Sequence, residues 1–193
     1  MNNGPSLVIR GTFIGSLVLA SLGWFLAGQI NLSPAAEVAY AAAPLQTLES
    51  SSPPENCQVS PSFPEGILQW CEIITAQANA VELPANLIAA VMLQESGGDA
   101  SAYSGSGAVG LMQVMPRDGI AAAFECINGP CFASRPTIEE LQDPRFNIEY
   151  GTNMLVGLIA RLGSPREALK AYGPMDRGYS YADTVLAIYE SYR

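Results

Sequence analysis

The chain has 193 residues, 49 % of them hydrophobic, which is enough for one domain with extensions and a proper core. Its 18 Asp and Glu outnumber nine Lys and Arg, and Lys170 is the only lysine, so there is no basic patch to neutralise a phosphate backbone and nucleic acid is excluded as a partner. Histidine is absent, which removes Ser-His-Asp and Cys-His nucleophilic chemistry, His-containing zinc sites and imidazole acid/base catalysis, and leaves a carboxylate to carry any acid/base step.

In chain order, the first feature is Gly11 to Gly28, GTFIGSLVLASLGWFLAG, which carries no charge and approaches the roughly 18–20 residues of a bilayer-spanning helix. Arg10 precedes it and no Lys or Arg follows until Arg117, so the positive-inside bias keeps the N-terminus in and sends the remainder out. Residues 1–30 are therefore read as a membrane anchor or signal segment, with the working part extracytoplasmic. Ala41-Ala42-Ala43 offers small residues for a peptidase but lies well beyond the apolar run, which favours a retained anchor over a cleaved signal. A buried core helix is the alternative, disfavoured because the run has no polar stripe.

Residues 31–64 shift to Ser, Pro, Ala and Glu, including SSPPE and SPSFPEG, with no sustained periodicity, and read as a flexible linker. From Glu65 the pattern changes. Ile67, Leu68, Cys71, Ile74, Thr75 and Ala78 recur at three- and four-residue intervals, predicting a helix from Pro64 to Ala80. Pro84 suits a first turn, Leu87, Val91 and Glu95 follow at four-residue steps, and Gly97-Gly98 ends the run, which places Glu95 in the last turn of a buried stripe. Further helices are predicted at Pro116 to Phe124, Asp143 to Leu162, Ser164 to Tyr172 and Tyr181 to Tyr192. Residues 65–193 should thus form one mainly α domain with little or no sheet. Glu139, Glu140 and Glu149 read as charge on helix surfaces.

Four cysteines, Cys57, Cys71, Cys126 and Cys131, make an even number in a chain expected to be exported, which favours disulfides; the count leaves their connectivity open, and the pairing expected is Cys57–Cys71 and Cys126–Cys131, the second stapling the loop ECINGPCFASRP. Free thiols are one alternative. A four-thiolate zinc site is the other, and the spacing lacks the paired two-residue intervals usual for it, so no metal is assigned.

A carboxyl at the end of an apolar helix loses solvation and should have its pKa raised toward neutrality, so Glu95 is the candidate acid/base. Its surroundings run QESGGDASAYSGSGAVGLMQVMP. Glu95-Ser96, Ala102, Ser104, Gly107-Ala108, Gly110-Leu111-Met112-Gln113 and Met115-Pro116 sit in a pattern that resembles the soluble lytic transglycosylase (SLT) family of lysozyme-like enzymes. LPANLIAAVMLQES upstream is similar to the family's helix into the catalytic Glu. Asp143-Pro144, Asn147-Ile148 and Gly151 resemble its third block, and Ala171-Tyr172 and Tyr181 with Val185-Leu186-Ala187 its last. The resemblance runs from about Ile67 to the C-terminus and does not reach the anchor or linker.

The resemblance implies a lysozyme-like α+β fold acting on peptidoglycan glycan strands, cutting the β-1,4 bond between N-acetylmuramic acid and N-acetylglucosamine to leave a 1,6-anhydromuramic end. Glu95 would serve as general acid and then general base, a scheme needing no cofactor. Gln113 would hydrogen-bond an N-acetyl group or hydroxyl and Met112 would form an apolar wall, with core packing as its alternative. Ser96 would brace the carboxylate or the helix end. Ser104, Tyr172 and Tyr181 match positions lining the saccharide cleft, and Tyr181 would donate to Glu95. Gly107 and Gly110 would allow close backbone approach. The family's Asn after Ala-Tyr is replaced here by Gly173-Pro174, so the contact that Asn makes does not carry over. Asp99 is the only nearby acidic residue, read as a turn former after Gly97-Gly98 rather than a second catalytic carboxylate. A positioned Asp99 would favour a water-using muramidase, and loss of turnover would leave a glycan-binding module.

Overall fold

The computed structural model describes residues 56–193; the expected membrane segment at 1–30 and most of the expected linker lie outside the described residues. Among the described residues no helix is long and apolar enough to cross a membrane.

Seven α-helices carry the fold: α1 (Glu65–Leu68), α2 (Cys71–Val81), α3 (Ala85–Ser96), α4 (Ile138–Leu141), α5 (Pro144–Leu162), α6 (Pro165–Tyr172) and α7 (Tyr179–Ser191). One small antiparallel pair, β1 (Glu125–Cys126) with β2 (Gly129–Pro130), pairs Glu125 with Pro130 and Cys126 with Gly129. The mainly α expectation with little sheet is met. α3 is the central element. Leu87 to Met92 are all buried, so this helix is apolar all round and needs neighbours on every side, which α2 and α7 supply. Ile67, Ile74, Ile88, Met92, Leu155, Leu169 and Val185 meet in one continuous core.

The ends of the long helices are written in their flanks. Asp143 caps α5 by accepting from the Phe146 amide at 2.7 Å, with Pro144 at its first position and Gly163 left-handed at its end. Ser164 caps α6 in the same way, followed by Pro165. α4 carries a full capping box, Thr137 with Glu140, so Glu140 closes a helix start besides contributing surface charge.

Three expectations change. The helix predicted from Pro64 to Ala80 is two helices, broken at Gln69-Trp70 where the Trp70 indole N–H donates to the Gly98 carbonyl at 2.9 Å. The predicted helix at Pro116 to Phe124 is only a 3-10 turn, Gly119–Ala123. There the Arg117 amide bonds the Pro136 carbonyl at 2.9 Å, Asp118 accepts from the Ile138 amide at 2.9 Å, and Gly119 has φ +60, so the start of that segment is tied to α4 instead of to its own next turn. The linker boundary at 64 also falls too late. Val59 and Phe63 lie in the core, Cys57 is bonded to Cys71, and the Phe63 ring stacks on Tyr192 at 4.1 Å. Two spaced apolar residues and one crosslink outweigh the Ser/Pro composition around them. Both expected disulfides, Cys57–Cys71 and Cys126–Cys131, are formed, and no cysteine is free.

Candidate active site

Glu95 sits in the last turn of α3, which Gly97 ends in the left-handed conformation, its amide reaching back to the Met92 and Leu93 carbonyls. The carboxyl is half-buried and accepts a short hydrogen bond from the Tyr181 hydroxyl. Burial pushes its pKa up to about 7, partly offset by the Tyr181 bond. No neighbouring carboxylate contributes to that shift among the described residues. Tyr181, 6 % exposed on the first turn of α7, is held above the usual phenol range by burial and then by the Glu95 charge, so it remains an O–H donor.

Facing this pair is the turn built from Gly110-Leu111-Met112-Gln113. Val109 and Val114 form an antiparallel bridge with reciprocal bonds of 3.0 and 3.1 Å, and the Gly110 amide donates to the Ala102 carbonyl at 2.8 Å. Asn147, fully buried on α5, locks the turn from below: its Oδ1 accepts from the Met112 amide at 2.8 Å, and its Nδ2 donates to the carbonyls of Val109 at 2.9 Å and Leu141 at 2.8 Å. Gly110 has φ +75, and a side chain there would collide with the Asn147 amide, so this position needs both the positive φ and the empty space. Gly107, also at positive φ, brings the chain against Ile120 and Ala121.

Ser96 does not reach Glu95. Its hydroxyl donates to the Leu111 carbonyl at 2.9 Å and accepts from the Gly98 amide at 3.1 Å, fastening the helix end to the turn. Ser104 accepts from the Ala108 amide at 2.9 Å and shapes the preceding bend. Gln113 adopts φ +46 and spends its side-chain N–H groups on the carbonyls of Gly110 at 3.0 Å and Ala102 at 3.2 Å. Its Oε1 is the group left to meet a ligand. Met112 is fully buried against Gly151 of α5, where a side chain would strike its Cβ and the Tyr172 hydroxyl. Tyr172 in turn donates to the Met112 carbonyl at 2.8 Å. The structure therefore brings Glu95, Tyr181, Tyr172, Met112, Gln113, Asn147 and Gly151 into one neighbourhood and leaves Ser96 and Ser104 as braces around it.

Asp99 is exposed and bonded through Oδ1 to the Ser101 amide at 2.8 Å and hydroxyl at 2.7 Å, which hold its carboxyl below the usual range. It is a turn residue. Sequence reasoning missed Trp70, whose bond to Gly98 steadies the turn after Glu95, and Gly66, where a Cβ would meet the Gly97 carbonyl at 2.7 Å. A tryptophan at the helix break was the available signal for the first; nothing local marks the second. A cavity of about 550 Å³ lies beside the turn, lined by Ala100, Ala102, Tyr103, Val109, Ile138 and Gln142 among others; Glu95 is not in its wall.

A small helical unit with a half-buried glutamate ending its central helix, a tyrosine bonded to it and a braced turn opposite is the lysozyme-like arrangement. The transglycosylase SLT domain pattern matches residues 72–175, and the chain belongs to that family. It is 36 % identical over 94 residues to the membrane-bound lytic murein transglycosylase E of Buchnera aphidicola from Acyrthosiphon pisum, covering 49 % of this chain and 41 % of that one. It is 32 % identical over 109 residues to the endo-type membrane-bound lytic murein transglycosylase A of Cronobacter sakazakii, covering 56 % and 51 %. The chain thus spans about half or less of these relatives' length. The fold is similar to that of the 70 kDa soluble lytic transglycosylase of Escherichia coli, with a TM-score of 0.52 and 22 % identity over 68 % of this chain and 24 % of that one.

Proposed function

We propose that this protein is a peptidoglycan lytic transglycosylase in which Glu95 is the sole catalytic carboxylate. Its substrate is the β-1,4 bond between N-acetylmuramic acid and N-acetylglucosamine. The reading rests on one observation: Glu95, at a pKa of about 7, holds its proton near neutrality with Tyr181 as its bonded partner and with the nearest acid in sequence, Asp99, tied into a turn. A two-carboxylate glycosidase needs a partner about 5–5.5 Å away for retention or about 6.5–9.5 Å for inversion.

In this scheme protonated Glu95 gives its proton to the leaving glycosidic oxygen as the C1–O bond breaks. The substrate's N-acetyl oxygen closes on C1 and stabilises the positive charge. Glu95, now a carboxylate, takes the proton from the C6 hydroxyl as that oxygen displaces the N-acetyl group, forming the 1,6-anhydro ring and returning the acid to its starting state. Tyr181 donates to the carboxylate between the two steps. Gln113 Oε1 accepts from a substrate N–H or O–H, half-buried Tyr172 supplies the apolar wall, Met112 packs in the core beside it and touches no substrate, and Ser96 and Ser104 act on the site through the backbone they hold.

The setting is extracytoplasmic, with residues 1–30 as the membrane tether and the chain before Cys57 as spacer. Two disulfides support an oxidising compartment, and both relatives named above are membrane-bound by name. Digestion of purified peptidoglycan by the wild type, with products identified by mass, tests the function. Anhydromuropeptides are expected; hydrated reducing ends would replace the transglycosylase with a muramidase, and no turnover would leave a glycan-binding module.

A further inference from the structure

Of the eight Lys and Arg among the described residues, seven are exposed, and Arg117, Arg166 and Arg193 have carboxylate partners. Arg145, Arg161, Lys170 and Arg177 have no such partner but are exposed, and Arg135 alone combines the lack of a partner with partial burial. It is half-buried, and no Asp or Glu lies within salt-bridge distance among the described residues. A partly buried arginine ordinarily has acceptors within reach of its guanidinium. What surrounds it is soft: an N–H toward the Met154 sulfur, and the rings of Phe132 and Tyr150, each with its centroid 6.0 Å from Cζ. These contacts engage the guanidinium through one N–H and its faces and leave most of the five N–H donors free for an acceptor.

Its backbone is fixed independently of that side chain. The Arg135 amide donates to the Phe132 carbonyl at 2.9 Å, and the Pro136 carbonyl accepts from the Arg117 amide at 2.9 Å. The location is also defined. Tyr150 and Met154 are on the face of α5 that carries Gly151, and Gly151 is where Met112 and the Tyr172 hydroxyl pack. Arg135 therefore lies along the helix face that supports the wall beside Glu95. Its charge is felt at Tyr172, where it opposes the upward push of burial and of Glu95.

We propose that Arg135 is a specificity-determining residue that pairs with a carboxylate of the peptide stem on the muramic acid, so that the site takes peptide-bearing glycan in preference to bare glycan. This rests on the peptidoglycan reading above. The chemistry fits a stem rather than a sugar ring, because amino-sugar hydroxyls and amides carry no charge, whereas the stem carries several carboxylates that match a guanidinium fork.

The test compares initial rates of the wild type, Arg135→Gln and Arg135→Lys on soluble uncrosslinked strands with stems intact and on the same strands stripped by an amidase. Arg135→Gln should raise KM on stem-bearing strands by about 10- to 100-fold, the range of one charged hydrogen bond. On stripped strands KM should change by less than about threefold, and Arg135→Lys should recover part of the loss. Equal losses on both substrates, or none on either, would overturn the proposal. Stripping exposes the lactyl carboxylate, so a loss confined to stripped strands places the anion on the sugar and overturns the stem assignment. Should the wild type turn over neither substrate, the transglycosylase reading fails by itself; calorimetric titration of wild type and Arg135→Gln with a disaccharide bearing its stem then decides the inference, and equal Kd values sink it.

Discussion

Two segments border the same face of α5 and are held there by different means. The turn at Val109–Val114 is fixed by buried hydrogen bonds: Asn147 takes its Met112 amide and Val109 carbonyl, Ser96 donates to its Leu111 carbonyl, and Tyr172 donates to its Met112 carbonyl. The loop from Gly119 to Arg135 exposes Ile120, Phe124 and Ile127 and is closed by the Cys126–Cys131 bond and a short strand pair. A network of specific side chains places atoms, because each bond has one geometry. A crosslink limits how far a segment opens without saying where each of its atoms goes. On the proposed reading the turn backs the site around Glu95, and the loop delivers Arg135 at its far end.

The largest effect should come from the carboxyl that the turn faces. Glu95→Gln should reduce turnover by at least about 10³-fold, within the range of a lost acid/base group, measured as anhydromuropeptide release. Since the proposed first step uses protonated Glu95, wild-type kcat/KM should fall as pH rises past about 7. The same variant reports on stability. The folded carboxyl binds its proton more tightly than the unfolded one, so wild type loses stability as pH rises from the ordinary 4.5 to about 7. Relative to Glu95→Gln it should be less stable at pH 8 and indistinguishable below about pH 4, by thermal melts across the range.

Next is the residue that locks the turn. Asn147→Ala leaves the Met112 amide and the Leu141 carbonyl without their side-chain partner in the core and removes one of the two bonds to the Val109 carbonyl, and should cost about 3 kcal/mol or more. A shift in urea midpoint at constant slope would establish it; a loss under about 1 kcal/mol would mean that water replaces the amide and the network is not what fixes the turn.

Gly173 comes third. A Cβ there would collide with the Tyr181 ring, so Gly173→Ala should push Tyr181 off Glu95 and lower kcat by about 10- to 100-fold, the scale of small misplacements in a site, with KM little changed. Tyr181→Phe isolates the bond itself. Because that bond lowers the Glu95 pKa, its removal should move the alkaline limb of kcat/KM to higher pH. A limb that stays put, or moves down, would show that Tyr181 does not act on the carboxyl's ionisation.

How much of this was legible follows the same division. Periodicity and end signals found α3, α5, α6 and α7: Asp143-Pro144 and Ser164-Pro165 cap α5 and α6, Pro84 and Gly97 bound α3, and α7 was found from its periodicity without a side-chain cap. The even cysteine count pointed to disulfides, but their connectivity was open in the sequence and comes from the structure, which forms the expected pairs. The motif residues were legible as a set, but not their division of labour: Ser96 and Ser104 bond backbone rather than facing the cleft, which spacing alone does not encode. The Pro116–Phe124 segment misled because its apolar content is helical while its first residues are captured by Pro136 and Ile138, twenty positions away. Val59 and Phe63 were lost in a Ser/Pro composition that their packing overrides. Gly173, read from sequence as a missing contact, has its reason in the Tyr181 ring that occupies the space. Arg135 gave no signal, since a lone arginine after a loop acquires meaning only from its half-buried place against Tyr150 and Met154.

The smallest effect tests the loop's side of the comparison. Replacing Cys126 and Cys131 together by Ser should cost about 2 kcal/mol or less, because the crosslink closes only a short ring and removes little entropy from the unfolded chain. The loss should also be local. Amide exchange should rise through residues 119–135 while Met112 and Gln113 keep their protection, since their partners lie on α5 and within the turn itself. If the loop serves the site only by presenting Arg135, the double variant should retain wild-type rates on stripped strands and lose affinity for stem-bearing ones, reproducing Arg135→Gln in weaker form. Loss of protection at Met112 would instead mean that the crosslink supports the turn, and the two segments would then be one cooperative unit.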